Sequence, residues 1–102
     1  MLLFSLEGEK ALVTGGNTGI GLGIARGLAK AGAIVAIAGR KPEKNKEALT
    51  ELHSLQLKCK AFIFDLKDSK EIPTFYESVS QEMDGIDILV NNAGVQYPAR
   101  AD

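Results

Sequence analysis

Apolar positions along this chain switch between two spacings. Unbroken apolar runs stand at Ala11-Leu12-Val13 and at Ile34-Val35-Ala36-Ile37-Ala38, and near-continuous ones at residues 60–64 and 86–90. Runs of this kind mark strands buried on both faces. Between them the spacing becomes helical: Ile20, Ile24 and Leu28; then Ala48, Leu52 and Leu55; then Ile72, Phe75, Tyr76, Val79 and Met83. The pattern predicts strands over 10–14, 34–38, 60–64 and 86–90, and helices over 20–30, 42–55 and from about 72 to 83. Gly23 and Gly27 lower the propensity of the first helix, but small residues allow it close to the sheet. Gly32 ends that helix in the left-handed manner, and Pro42 suits the first turn of the second. Asp68 and Glu71 read as a capping pair for the third, with Pro73 tolerated only in its first turn. Asp84-Gly85 closes it. Three strand–helix alternations predict an α/β fold, a doubly wound parallel sheet with right-handed crossovers. No repeat, low-complexity tract or linker interrupts residues 1–102, which read as one domain at most.

The first strand runs directly into Thr14-Gly15-Gly16-Asn17-Thr18-Gly19-Ile20-Gly21. Gly15 permits a sharp turn through positive φ. Gly19 lets backbone N–H groups approach an anion, and Gly21 lets the helix pack tightly on the sheet. The helix N-terminus then offers free N–H groups and a partial positive charge. A strand before and a helix after such a loop are the context that a dinucleotide site requires. A second motif, Asn91-Asn92-Ala93-Gly94, ends the fourth apolar run. Asparagine also favours turns, so Asn91 and Asn92 have a local backbone role as the alternative reading.

The Gly-x-x-x-Gly-x-Gly spacing of Gly15, Gly19 and Gly21, together with the later Asn-Asn-Ala-Gly, resembles the classical short-chain dehydrogenases/reductases. The extended relatives carry a Gly-x-x-Gly-x-x-Gly spacing, which these glycines do not match. The resemblance implies a Rossmann-type sheet of strand order 3-2-1-4, with both motifs at the point where the order reverses. It implies that Gly15, Asn17, Thr18, Gly19, Ile20 and Gly21 line the pyrophosphate and adjoining ribose. Asp65 and Leu66 resemble the Asp-hydrophobic pair beside the adenine, and Asn92, Ala93 and Gly94 lie by the ribose nearest the nicotinamide. A loop carboxylate without a ligand is the alternative for Asp65.

The family moves a hydride between a nicotinamide cofactor and an alcohol or ketone, using a tyrosine and lysine spaced Tyr-x-x-x-Lys. Here Tyr76 is followed at the fourth position by Ser80 and Tyr97 by Ala101, so no catalytic residue is assigned. The stretch reads as the cofactor-binding portion, residues 1–102, of an enzyme truncated before its catalytic half, and inactive alone. Its beginning, Phe4-Ser5-Leu6-Glu7-Gly8, and its end, Gly94 through Asp102, resemble the sugar-acid members of the gluconate 5-dehydrogenase and 2-deoxy-gluconate 3-dehydrogenase type. Of the paired arginines such members often carry there, Arg100 alone is nearby. The competing class is a non-enzymatic dinucleotide-binding or redox-sensing module.

NAD-specific folds use an acidic residue at the end of the second strand to bind both ribose hydroxyls. That strand here ends Ala38-Gly39-Arg40-Lys41, and no Asp or Glu occurs from Leu22 through Pro42. The expected cofactor is therefore NADP in preference to NAD, with Arg40 gripping a 2′-phosphate. NAD remains open as a second cofactor, since some relatives with Gly-Arg accept both.

Bulk composition narrows the partners. Apolar residues make up 45% and charged residues 25%, as in ordinary globular domains. The net charge of −1 offers no basic footprint for nucleic acid. The longest uncharged stretch, residues 11–25, holds five glycines and falls short of a membrane span. Residues 1–5 do not read as a signal peptide. A lone cysteine, Cys59, excludes an internal disulfide and reads as a small core residue; His53 reads as a solvated one. The expectation is a cytoplasmic protein acting on a small-molecule alcohol or ketone, homo-oligomeric as a whole, with no metal, nucleic-acid or membrane partner.

Overall fold

A computed structural model describes residues 5–65 and 69–92. It contains β1 (Lys10–Thr14), α1 (Gly19–Lys30), β2 (Ile34–Gly39), α2 (Pro42–Ser54), β3 (Cys59–Ile63), a 3₁₀ turn (Ser69–Glu71), α3 (Ile72–Met83) and β4 (Ile88–Asn91). The four strands are parallel in the order β3-β2-β1-β4, with Leu12 in register with Ala36 on one side and Leu89 on the other. The expected sheet and its three helices are therefore present, with element bounds shifted by one or two residues.

Side chains alternate across the pleat. One face carries Ala11, Val13, Val35, Ile37 and Cys59 against Ala25 and Ala29 of α1 and Ala48 and Leu52 of α2. The opposite face carries Leu12, Ala36 and Ala38 against Val79 and Met83 of α3. Phe75 joins that cluster, stacking on Phe64 at 4.1 Å and meeting Phe62 edge-on at 6.4 Å. Burial raises the Cys59 thiol pKa to about 11, so the thiol stays protonated and inert at neutral pH.

Several helix faces differ from the periodicity. The residues that α1 buries are Gly21, Ala25 and Ala29. Ile24 and Leu28 pack beside that stripe, but Ile20 is 77% exposed. Gly23 and Gly27 face open space, so the close approach of α1 is made by Gly21 and the two alanines instead. On α2 the buried stripe is Asn45, Ala48 and Leu52. Leu55 is half-exposed because the helix has already ended: Gln56 turns at φ 62°, and Leu57 returns its N–H to the Leu52 carbonyl. On α3, Val79 and Met83 are buried, while Ile72 and Tyr76 at its start are exposed. The capping pair is also revised. Glu71 flanks the helix without a side-chain cap, and Asp68 lies outside the described residues. Pro73 does fall in the first turn, where its missing N–H costs nothing.

All three helices close alike. After α1, the N–H groups of Gly32 and Ala33 bond the carbonyls of Ala29 and Leu28. After α3, Asp84 and Gly85 bond those of Gln81 and Ser80. These paired reverse bonds satisfy carbonyls that a helix end otherwise leaves orphaned.

Candidate functional site

Parallel strands end together, and here four ends form one row. From one edge to the other it reads Asp65 beyond β3, Gly39 at the end of β2 with Arg40 beyond it, Gly15 beyond β1, and Asn91 at the end of β4 with Asn92 beyond it. Three inter-strand gaps span roughly 14 Å. That length suits an extended ligand laid across the strand ends, not a compact one.

The centre of the row is the glycine turn. Gly15 adopts φ 68° and donates its N–H to Ala38 O at 2.7 Å, so the chain leaves β1 sharply while still tied to β2. A Cβ on Gly21 would collide with the Gly15 carbonyl, which explains the requirement for glycine there. Gly19, at φ 57°, has open space where its Cβ would stand. Thr18 flanks the start of α1 in extended conformation, its hydroxyl does not cap the helix, and no acidic residue occupies the first turn. The twelve-residue helix thus turns an uncapped, positively polarised end toward the open side of the loop. Thr18, Gly19 and Ile20 are all exposed there.

Thr14 fastens the loop to β4. Its hydroxyl lies 3.3 Å from Val90 O and 3.1 Å from Asn91 Oδ1, and accepts the Asn92 N–H at 3.1 Å. Asn92 Nδ2 reaches Gly15 O at 3.5 Å. The two motifs, far apart in sequence, are therefore in contact.

On the other flank, Asn17 Nδ2 donates to Asn45 Oδ1 at 3.0 Å. Asn45 is 4% exposed, and its own Nδ2 donates to Gly39 O at 3.2 Å and Phe62 O at 3.1 Å. Arg40 and Lys41 are exposed, and among the described residues neither makes an ion pair. Asp65 is exposed at the far edge of the row. Leu66, Ala93, Gly94 and Arg100 lie outside the described residues.

Sequence reasoning missed Thr14, Gly16 and Asn45. A Cβ on Gly16 would press into Ile37 at 2.8 Å, so this glycine seats the loop on β2. Asn45 carried a signal: it shares the i, i+3, i+7 stripe of Ala48 and Leu52, and an amide on an apolar stripe needs buried partners.

A glycine turn between a parallel strand and an uncapped helix, at the reversal point of a 3-2-1-4 sheet, defines a Rossmann-type nucleotide-binding fold. Residues 9–102 match the short chain dehydrogenase family model, and the chain belongs to that family. It is 43% identical over 97 residues to gluconate 5-dehydrogenase of Gluconobacter oxydans, covering 95% of this chain and 38% of that protein. It is 42% identical over 99 residues to 2-dehydro-3-deoxy-D-gluconate 5-dehydrogenase of Pseudoalteromonas atlantica, covering 96% and 39%. Among solved structures, the Pseudomonas aeruginosa RhlG/NADP active-site complex is similar with a TM-score of 0.81 and 42% identity, over 90% of this chain and 37% of that one. The chain thus spans under two-fifths of the curated relatives it matches.

Proposed function

We propose that this chain is the cofactor-binding portion of an NAD(P)-dependent oxidoreductase that moves a hydride between a nicotinamide cofactor and an alcohol or ketone. One observation carries the reading: the glycine turn, the uncapped α1 terminus and Asn91-Asn92 meet at the switch point of the sheet, joined through Thr14. The residues fit a dinucleotide. Gly19, at φ 57°, leaves open space beside the helix end, and Gly15, Thr18, Gly19, Ile20 and Gly21 surround the end that would receive the pyrophosphate. Asn17 would line the pyrophosphate and the adjoining ribose. Asp65, with Leu66, would flank the adenine, and Asn92, with Ala93 and Gly94, the other ribose. When bound, the nicotinamide supplies or accepts the hydride. The chain's own residues bind and orient it. Neither tyrosine is followed by a lysine at the fourth position, so the proton-transfer residues belong to the whole protein outside this stretch.

The preferred cofactor is NADP. Gly39 offers no carboxylate to a 2′-phosphate, and exposed Arg40 can pair with it through parallel charge-assisted bonds. Similarity to an NADP complex and to two sugar-acid dehydrogenases supports this cofactor and a sugar acid as substrate. The whole enzyme is read as a cytoplasmic homo-oligomer without nucleic-acid or membrane partners. Among the described residues no helix is long and apolar enough to cross a membrane.

The test is kcat/KM of the whole protein with each cofactor, on gluconate-type acids and on uncharged polyols. Arg40→Ala should lower efficiency with NADP about 10- to 150-fold and leave NAD nearly unchanged. A parent that prefers NAD, or an equal loss with both cofactors, would remove the cofactor assignment. Equal efficiency on acids and polyols would remove the substrate assignment.

A further inference from the structure

The amide chain Asn17–Asn45 has a fixed polarity. Both N–H bonds of Asn45 Nδ2 are committed to backbone carbonyls, Gly39 O at the end of β2 and Phe62 O in β3. Its oxygen must therefore face Asn17, and Asn17 must answer with its Nδ2. That nitrogen lies where a Cβ on Gly39 would be, and the same Cβ would stand 2.9 Å from Asn45 Oδ1. Among the described residues the second N–H of Asn17 has no partner, although the side chain is half-buried. Two strand carbonyls thus dictate, through a buried amide, which atom is shown above Gly39. That atom is a hydrogen-bond donor. An acidic residue at position 39 would show an acceptor there.

We propose that Asn45 is a positioning residue for cofactor choice: it holds the Asn17 amide over Gly39 with its donor outward, so the site favours a 2′-phosphate over free ribose hydroxyls. The inference rests on the NADP reading and adds to it a second determinant beside Arg40. The same packing requires glycine at position 39. A side chain there would displace Asn17 from Asn45, and Asn45 cannot follow because it is buried and bonded on both sides.

Calorimetric titration of the whole protein with 2′,5′-ADP and with 5′-AMP reads this without turnover. Wild type should bind 2′,5′-ADP the more tightly. Asn45→Ala should weaken 2′,5′-ADP about 3- to 10-fold and change 5′-AMP less than about 2-fold, whereas Asn17→Ala, which removes a donor to a charged phosphate, should weaken 2′,5′-ADP about 10-fold or more and 5′-AMP by a smaller factor. Asn45→Ala also strips partners from two carbonyls and lowers the melting temperature. Should it fail to fold, Gly39→Ala takes its place: it should weaken 2′,5′-ADP in the wild-type background and add nothing to Asn17→Ala. A wild type that binds both nucleotides equally would overturn the NADP reading and this inference with it. A wild type that favours 2′,5′-ADP, with that preference unchanged in Asn45→Ala or Gly39→Ala, would leave the NADP reading standing and overturn the role of Asn45.

Discussion

The two faces of the sheet are covered unequally. On one, α1 and α2 lie side by side over Ala11, Val13, Val35, Ile37 and Cys59, and Arg26 of α1 ties to Glu51 of α2 at 2.8 Å. On the other, α3 alone among the described residues covers Leu12, Ala36 and Ala38. Leu12 and Leu89 show how incomplete the cover of that second face is. They are register partners on neighbouring strands, yet Leu12 is 1% exposed and Leu89 54%. The difference follows from topology. Successive right-handed crossovers running in one direction stack their helices on one face, and the reversal after β3 sends α3 to the other. The same reversal opens the crevice where the glycine turn meets Asn91 and Asn92. The candidate site and the uneven cover thus have one cause. Among the described residues β4 pairs with β1 alone, so both its far edge and its α3-side face are open to further chain.

The sharpest test of the contrast is a matched pair of truncations. Leu52 is fully buried between α2 and the sheet, and Leu52→Ala should destabilise by about 2–5 kcal/mol in chemical denaturation. Leu89→Ala should cost below about 1 kcal/mol where the described residues alone form its surroundings. An equal loss at both positions in the whole protein would mean that residues beyond Asn92 cover Leu89, and would confine the asymmetry to this stretch.

A smaller effect is expected where α1 meets the double-helix face. Gly21→Ala would drive a methyl group into the Gly15 carbonyl and within 2.8 Å of Asn92 Nδ2. The expected cost is about 1–3 kcal/mol, with weaker nucleotide binding, because the same shift opens the glycine turn. Unchanged melting temperature and nucleotide affinity would show that α1 does not set the turn.

Cys59 provides the mildest probe of the well-covered face. Its thiol is raised from an ordinary value of 9.0 to about 11 by burial, so the fold favours the protonated form. The associated stability is intact below about pH 9 and is lost as pH rises through about 11. Native protein should react slowly with iodoacetamide at neutral pH, and unfolded protein quickly. Rapid native alkylation would show that the face opens more readily than its packing implies.

What the sequence determined by itself was local: where strands and helices lie, and where the chain turns. The runs at 34–38 and 86–90 and the helical spacings encode those elements directly, and Gly15 marks a turn that few other residues can make. Even the meeting of the two motifs was legible, because strand–helix alternation leaves few topologies to choose from. Which helical residues are buried was not. Ile20 shares the spacing of Ile24 and Leu28, yet it stands in solvent at the cleft while Gly21, Ala25 and Ala29 face the sheet. Periodicity gives a helix a face, but the distance at which it docks decides whether large or small residues occupy the contact. Asn45 and Thr14 show the same limit for polar groups. Their roles depend on the Phe62 carbonyl and on Asn91 and Asn92, atoms brought near only when the strands align. A hydrogen bond is specified by two positions in space, and a linear sequence names only the residues.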